Sequence, residues 1–170
     1  RLDPTAAFDE AEHHTERALE LRPRDAEALA TLALINLDRG GYQSHAGTDP
    51  LPSYERVAAT FATLAELQPG DPTSLVNLGI ASEAMLEHLV RSDQGDPEAM
   101  AARATAALES SLAINPNLYW THAFLGAVQV ALARLCQRRD TDPTVYLDAA
   151  LPSLQRAVQL SPNDPRALRS

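Results

Sequence analysis

Few side chains in this chain are equipped for chemistry, and their spacing limits what they can do. His13 and His14 each follow an acid, Asp9 and Glu10, by four residues, so each imidazole meets a carboxylate one helical turn away. Two such pairs can suggest a metal, but adjacent histidines stand about 100° apart around a helix and do not converge easily on one ion. A solvated helix face is the expectation, with no metal bound. His88 beside Glu87 reads the same way. Cys136 is the only cysteine, which excludes an internal disulfide and a thiolate zinc site; a small buried apolar residue is expected. All fourteen cations are arginine. Without lysine there is no P-loop lysine, no phosphate-anchoring lysine of a kinase and no Schiff base. No nucleophile, base and acid form a catalytic pattern, so neither an enzyme nor a cofactor is expected.

Composition narrows the partners. The formal net charge is −9, and an acidic chain lacks the basic patch that nucleic acid or an anionic membrane requires. The longest apolar run, from Ala123 to Cys136, is interrupted by Gln129 and Arg134 and is too short to span a bilayer. No signal peptide is visible, and a cytoplasmic location is the expectation.

The elements that position these residues are announced by two ladders. Pro23, Pro69, Pro116 and Pro162 are spaced 46, 47 and 46 residues apart. Asp3-Pro4, Asp49-Pro50, Asp96-Pro97 and Asp142-Pro143 keep the same spacing. Two marks at one period mean a repeated supersecondary unit, and so a solenoid. Within a unit, Asp71 before Pro72 suits an N-cap and a first helical position. Leu75, Leu78, Ala81, Ser82, Met85, Leu86 and Leu89 then recur at helical steps to about Arg91. Ser92 to Gly95 reads as a turn, and Asp96-Pro97 opens a second helix that stops before Pro116. The same grammar predicts a first helix over Thr5–Leu21, then Ala26–Arg39 and Leu51–Gln68 joined by a loop from Gly40 to Pro50. Leu118–Arg138 and Thr144–Ser161 follow, and another helix begins after Asp164-Pro165. An all-α solenoid of about seven antiparallel helices results, a single repeat domain over residues 1–170. Both ends fall inside a unit, so a slice of a longer chain is expected.

The junctions Ala18 to Leu29 and Ala157 to Pro165 resemble the helix-B to helix-A junction of tetratricopeptide repeats (TPRs). Leu75 to Ala81 resembles the helix-A stretch that carries leucine and glycine in succession; Leu125-Gly126 repeats that pair, and Leu32-Ala33 keeps it with a small-residue swap. The resemblance implies a right-handed superhelix that binds protein or peptide. The period exceeds the usual repeat of about 34 residues, and the extra length falls between the two helices of each hairpin. Roughly six more residues per arm add about 9 Å. Long hairpins with a recurring Asp-Pro resemble arrays found C-terminal to kinase domains in some bacterial serine/threonine kinases, which an arginine-only, alanine-rich composition suits.

In TPR proteins the first helices line a concave groove. The resemblance carries that role to Ala30, Thr31, Leu34 and Leu37, to Val76, Asn77, Ile80 and Glu83, and to Trp120, Ala123, Phe124 and Ala127. Two readings stay open: long hairpins bury part of this face internally, or it is an apolar groove for a peptide or amphipathic helix. The carboxylate-clamp form of the fold needs lysine, arginine and asparagine in the groove, and only Asn77 matches. Acidic-tail ligands are therefore not expected. Trp120 either packs on the preceding helix or anchors a partner. His122 is expected to be partly buried. At the hairpin tips, Arg39, Arg91, Arg138 and Arg139 beside the recurring aspartates read as local turn stabilisation or as a charged ridge. Three functions follow: an interaction scaffold, a regulatory or docking region of a larger bacterial signalling protein, or end-to-end self-assembly through Phe8, Leu19 and Leu168.

Overall fold

A computed structural model describes residues 3–161. Among them the chain forms seven helices and no strand: α1 (Thr5–Leu21), α2 (Ala26–Ala46), α3 (Leu51–Leu67), α4 (Pro72–Ser92), α5 (Pro97–Ile114), α6 (Tyr119–Arg138) and α7 (Thr144–Leu160). The expected helix after Asp164-Pro165, with Pro162 and Leu168, lies outside the described residues. Each helix packs on its sequence neighbours, and α4 also packs directly on α6, the adjacency that a stack of hairpins requires.

The Asp-Pro pairs, those of the ladder together with Asp71-Pro72, resolve into two geometries. At Asp71-Pro72 and Asp96-Pro97 the aspartate is the N-cap, accepting from Thr73 N–H at 2.9 Å and Ala99 N–H at 2.9 Å, and proline takes the first turn. At Asp3-Pro4, Asp49-Pro50 and Asp142-Pro143 the proline itself occupies the cap. The aspartate before it reaches past the ring to the first helical N–H, at 3.0, 3.0 and 2.9 Å. Both arrangements satisfy an orphan donor.

One boundary differs from the sequence reading. Instead of ending at Arg39, α2 continues through Gly40 and Gly41 to Ala46 and closes at Gly47, whose φ of 77° is the left-handed conformation that glycine tolerates. Gly40 is not a terminator. It is buried, and a Cβ there would stand 2.6 Å from the Tyr54 ring, so the missing side chain is the notch that admits α3. The Leu-Gly pairs have the same origin. A Cβ on Gly79 would lie 2.5 Å from the Leu108 branch, and Gly126 meets Leu154 likewise.

Two cores result. Ala33, Val57, Phe61, Leu64, Ala81 and Met85 join α2, α3 and α4; Leu86, Ala104, Leu108, Val128, Ala131 and Leu135 join α4, α5 and α6. Met100 packs against both. At the α1 end the contact is polar. Glu12 is buried, accepts from Asn36 Nδ2 at 3.0 Å, and lies 2.7 Å from Arg56 Nη1. Arg39 Nη2 stands 2.8 Å from Glu12 and 3.1 Å from Asp9 with its N–H groups off line for both, so that contact is ionic rather than hydrogen-bonded.

Candidate functional site

Helical spacing puts Val76, Ile80, Glu83 and Glu87 on one stripe of α4, at steps of four, three and four. Opposite them, α6 begins with Tyr119 and Trp120, whose rings lie 4.6 Å apart between centroids and tilted by 36°. Between the two helices lies a cleft of about 470 Å³. Five of the sequence-derived positions meet in its wall: Val76, Asn77, Ile80, Trp120 and Phe124. Pro72, Thr73 and Leu118 complete it, and sequence reasoning missed all three because they sit at helix starts.

Leu118 carried a signal. It is the N-cap of α6, where α2 and α4 have Asp25 and Asp71, and it caps nothing with its side chain. Losing a cap costs about 1 kcal/mol. The residue in its place forms apolar wall.

A second cleft, about 510 Å³, lies between α2 and α4 and takes in Ala30, Leu34 and Asn77, with Glu27 and Asp71 at its edge. Leu34 is 52% exposed, large for an apolar side chain. Asn77 borders both clefts. The remaining sequence-derived residues fall elsewhere. Thr31 faces α1 in a shallower depression with His14 and Arg22. Leu37 packs against the first core. Ala127 is half-buried and lines neither cleft. Phe124, besides facing the cleft, rests on the second core.

The two clefts carry no cationic side chain in their walls. One turn above Ile80, burial pushes the Glu83 carboxyl up to about 7; Glu87 adds to the rise and Arg134 opposes it. Arg134 itself stands 2.6 Å from Glu87. Among the described residues no hydrogen bond reaches the Glu83 carboxylate. Burial likewise raises the Tyr54 phenol above its ordinary value.

At the hairpin tips the arginines tie repeats together. Arg91 Nη2 donates to Ser44 Oγ at 2.9 Å. Arg138 Nη1 donates to the Val90 and Arg91 carbonyls, the free C-terminal end of α4. The available clue was that Arg91 and Arg138 lie one period apart, 47 residues. Arg139 pairs with Glu98, and His88 lies 3.8 Å from Asp49.

The residues first weighed for chemistry stay apart. His14 is exposed and 3.9 Å from Glu10. Among the described residues no three of histidine, cysteine, aspartate and glutamate gather as a metal site. His122 is half-buried, its Nε2 3.0 Å from the Pro116 carbonyl. Cys136 is a half-buried free thiol.

These features belong to a recognisable class of architecture. The chain is similar to the crystal structure of a thermophilic TPR protein in Thermus thermophilus, with 21% identity over 96% of this chain and 88% of that one and a TM-score of 0.52. The fold is thus a TPR-like α-solenoid of helix hairpins. No family model matches the chain, and no curated protein does. No described helix is long and apolar enough to cross a membrane.

Proposed function

We propose that this chain is a non-catalytic protein-interaction scaffold that holds a peptide or partner helix along the face formed by α2, α4 and α6. The observation that carries the reading is Leu118. A solenoid that gives up a capping aspartate for an apolar wall residue has departed from its own repeat at one place, and that place opens onto the Trp120 cleft. Departures from local rules without a local gain concentrate at functional sites. The test is capture of a partner by the intact chain and by a Leu34→Glu, Ile80→Glu variant, with folding checked by circular dichroism. Phe124 is left alone because it supports the core. A partner held by the first and lost by a folded second supports the groove; a partner held equally by both refutes it.

A second reading, self-association, is favoured by α7. Val145, Leu147 and Leu151 are exposed there, Leu151 to 53%, whereas Phe8 at the other end is half-covered beside Tyr42 and Arg39. Sedimentation at rising concentration tests it: a concentration-independent monomer rejects the reading, and a dimer lost in Leu147→Glu, Leu151→Glu supports it. A docking role within a bacterial signalling kinase rests on hairpin length and the Asp-Pro marks alone; the neighbouring reading frame decides that.

A further inference from the structure

We infer that the occupant of the α4/α6 face is an apolar protein segment carrying a lysine or arginine, with its apolar side chains in the Trp120 cleft and its cation at Glu83. This rests on the scaffold reading above and names the chemistry of the partner.

Three observations converge. The cleft wall is mostly apolar, through Val76, Ile80, Leu118, Trp120 and Phe124, and so selects apolar side chains. The charged groups bordering the face are acids: Glu27 and Asp71 at the α2/α4 cleft, and Glu83 one turn above Ile80. The nearest cation, Arg134, stands 2.6 Å from Glu87, a committed ion pair. Glu83 is thus a half-buried carboxylate that still reaches solvent and takes no hydrogen bond among the described residues, one turn from an apolar cleft in a chain of net charge −9. A carboxylate in that position becomes costly once a ligand covers it, unless that ligand brings a cation. The rise of its proton affinity is the same cost seen in the free protein. An acidic segment would meet only like charge there, and a purely apolar one would seal the carboxylate away from water without a partner.

The geometry also sets the spacing. Ile80 and Glu83 are three residues apart on one helix face, so a bound cation lies about one helical turn, roughly 5 Å, beyond the apolar anchor. In a helical ligand this is leucine with lysine or arginine three or four positions on.

Trp120 is the chain's single tryptophan and lines the cleft, so its fluorescence reports occupation. The probes are two synthetic amphipathic peptides of about four helical turns with the same leucine face. One carries lysine at every charged position and its twin carries glutamate. The expected result is that the lysine peptide shifts Trp120 emission and binds about tenfold or more tightly than its twin, a difference of about 1.4 kcal/mol. Glu83→Gln, close in shape, should remove most of that preference, and Ile80→Ala should weaken both peptides. If the twins bind alike, or Glu83→Gln leaves the preference intact, this inference is overturned while the scaffold reading stands. Binding of the lysine peptide that leaves Trp120 emission unmoved places it on the outer acidic surface and also overturns it. If neither peptide binds while intact chain captures a partner that the groove variant loses, the partner chemistry is wrong; if that capture also fails, the scaffold reading falls too.

Discussion

Replacing Glu83 with glutamine should change how stability depends on pH, by an amount that the site itself supplies. Glu83 titrates near 4.5 as an unperturbed side chain and at about 7 in the folded chain. The folded state therefore holds a proton that the unfolded state releases between those values. The stability contributed is fully present below the unfolded value and is lost as pH rises through 7. At about 1.36 kcal/mol per unit the full span is on the order of 3 kcal/mol. Because the chain has a pI near 4.9, measurements belong above it. Between about pH 5.5 and pH 8 the linkage relation leaves roughly 2 kcal/mol, and residual solvation of the half-buried side chain brings the expected figure to about 1–2 kcal/mol. Urea unfolding of wild type and Glu83→Gln across that window isolates it, since the other acids titrate in both proteins and cancel to first order. The variant should gain on wild type steadily with pH and be the more stable of the two at the alkaline end. A difference curve flat to within a few tenths of a kcal/mol would refute the burial argument, because it would mean that Glu83 is solvated.

Further tests address the scaffold. Leu118→Asp should restore the missing cap of α6 and stabilise the fold by about 1 kcal/mol, while weakening whatever occupies the cleft; thermal melts and Trp120 fluorescence read the two effects separately. Gly40→Ala and Gly41→Ala should move in opposite directions: the first drives a methyl into the Tyr54 ring and costs about 1–3 kcal/mol. The second meets nothing within 4 Å and gains roughly 0.5–1 kcal/mol of helix propensity. Chemical denaturation of the pair checks both signs. Glu12→Ala removes the carboxylate shared by Asn36, Arg39 and Arg56, leaving Asn36 only the Leu32 carbonyl and Arg39 only Asp9, and should cost about 1–3 kcal/mol, seen as a lowered urea midpoint.

The sequence made the architecture legible because a solenoid writes its period into its punctuation: a proline lies at or just before every helix, and an aspartate opens every helix but α6. It did not make α2 legible, because glycine reads as a terminator until the ring that occupies its vacancy is known, and Tyr54 lies fourteen residues downstream on another helix. The α4/α6 cleft was half legible. Val76, Ile80 and Phe124 follow from the register of the repeat, yet Leu37, one turn on from Leu34 along the same face of α2, packs into the core. The inter-repeat arginines were hidden for a different reason: their partners include backbone carbonyls, which no residue type announces.

The meeting of both cores at Met100 has a mechanical consequence. Helix α4 runs through both blocks, with Ala81 and Met85 in one core and Leu86 and Val90 in the other, so the blocks are joined by a continuous helix and Met100 fills the seam beside it. Methionine repacks at little cost, which lets that seam absorb small shifts on either side. Emptying it with Met100→Ala should lower amide-exchange protection in both blocks together rather than in one of them.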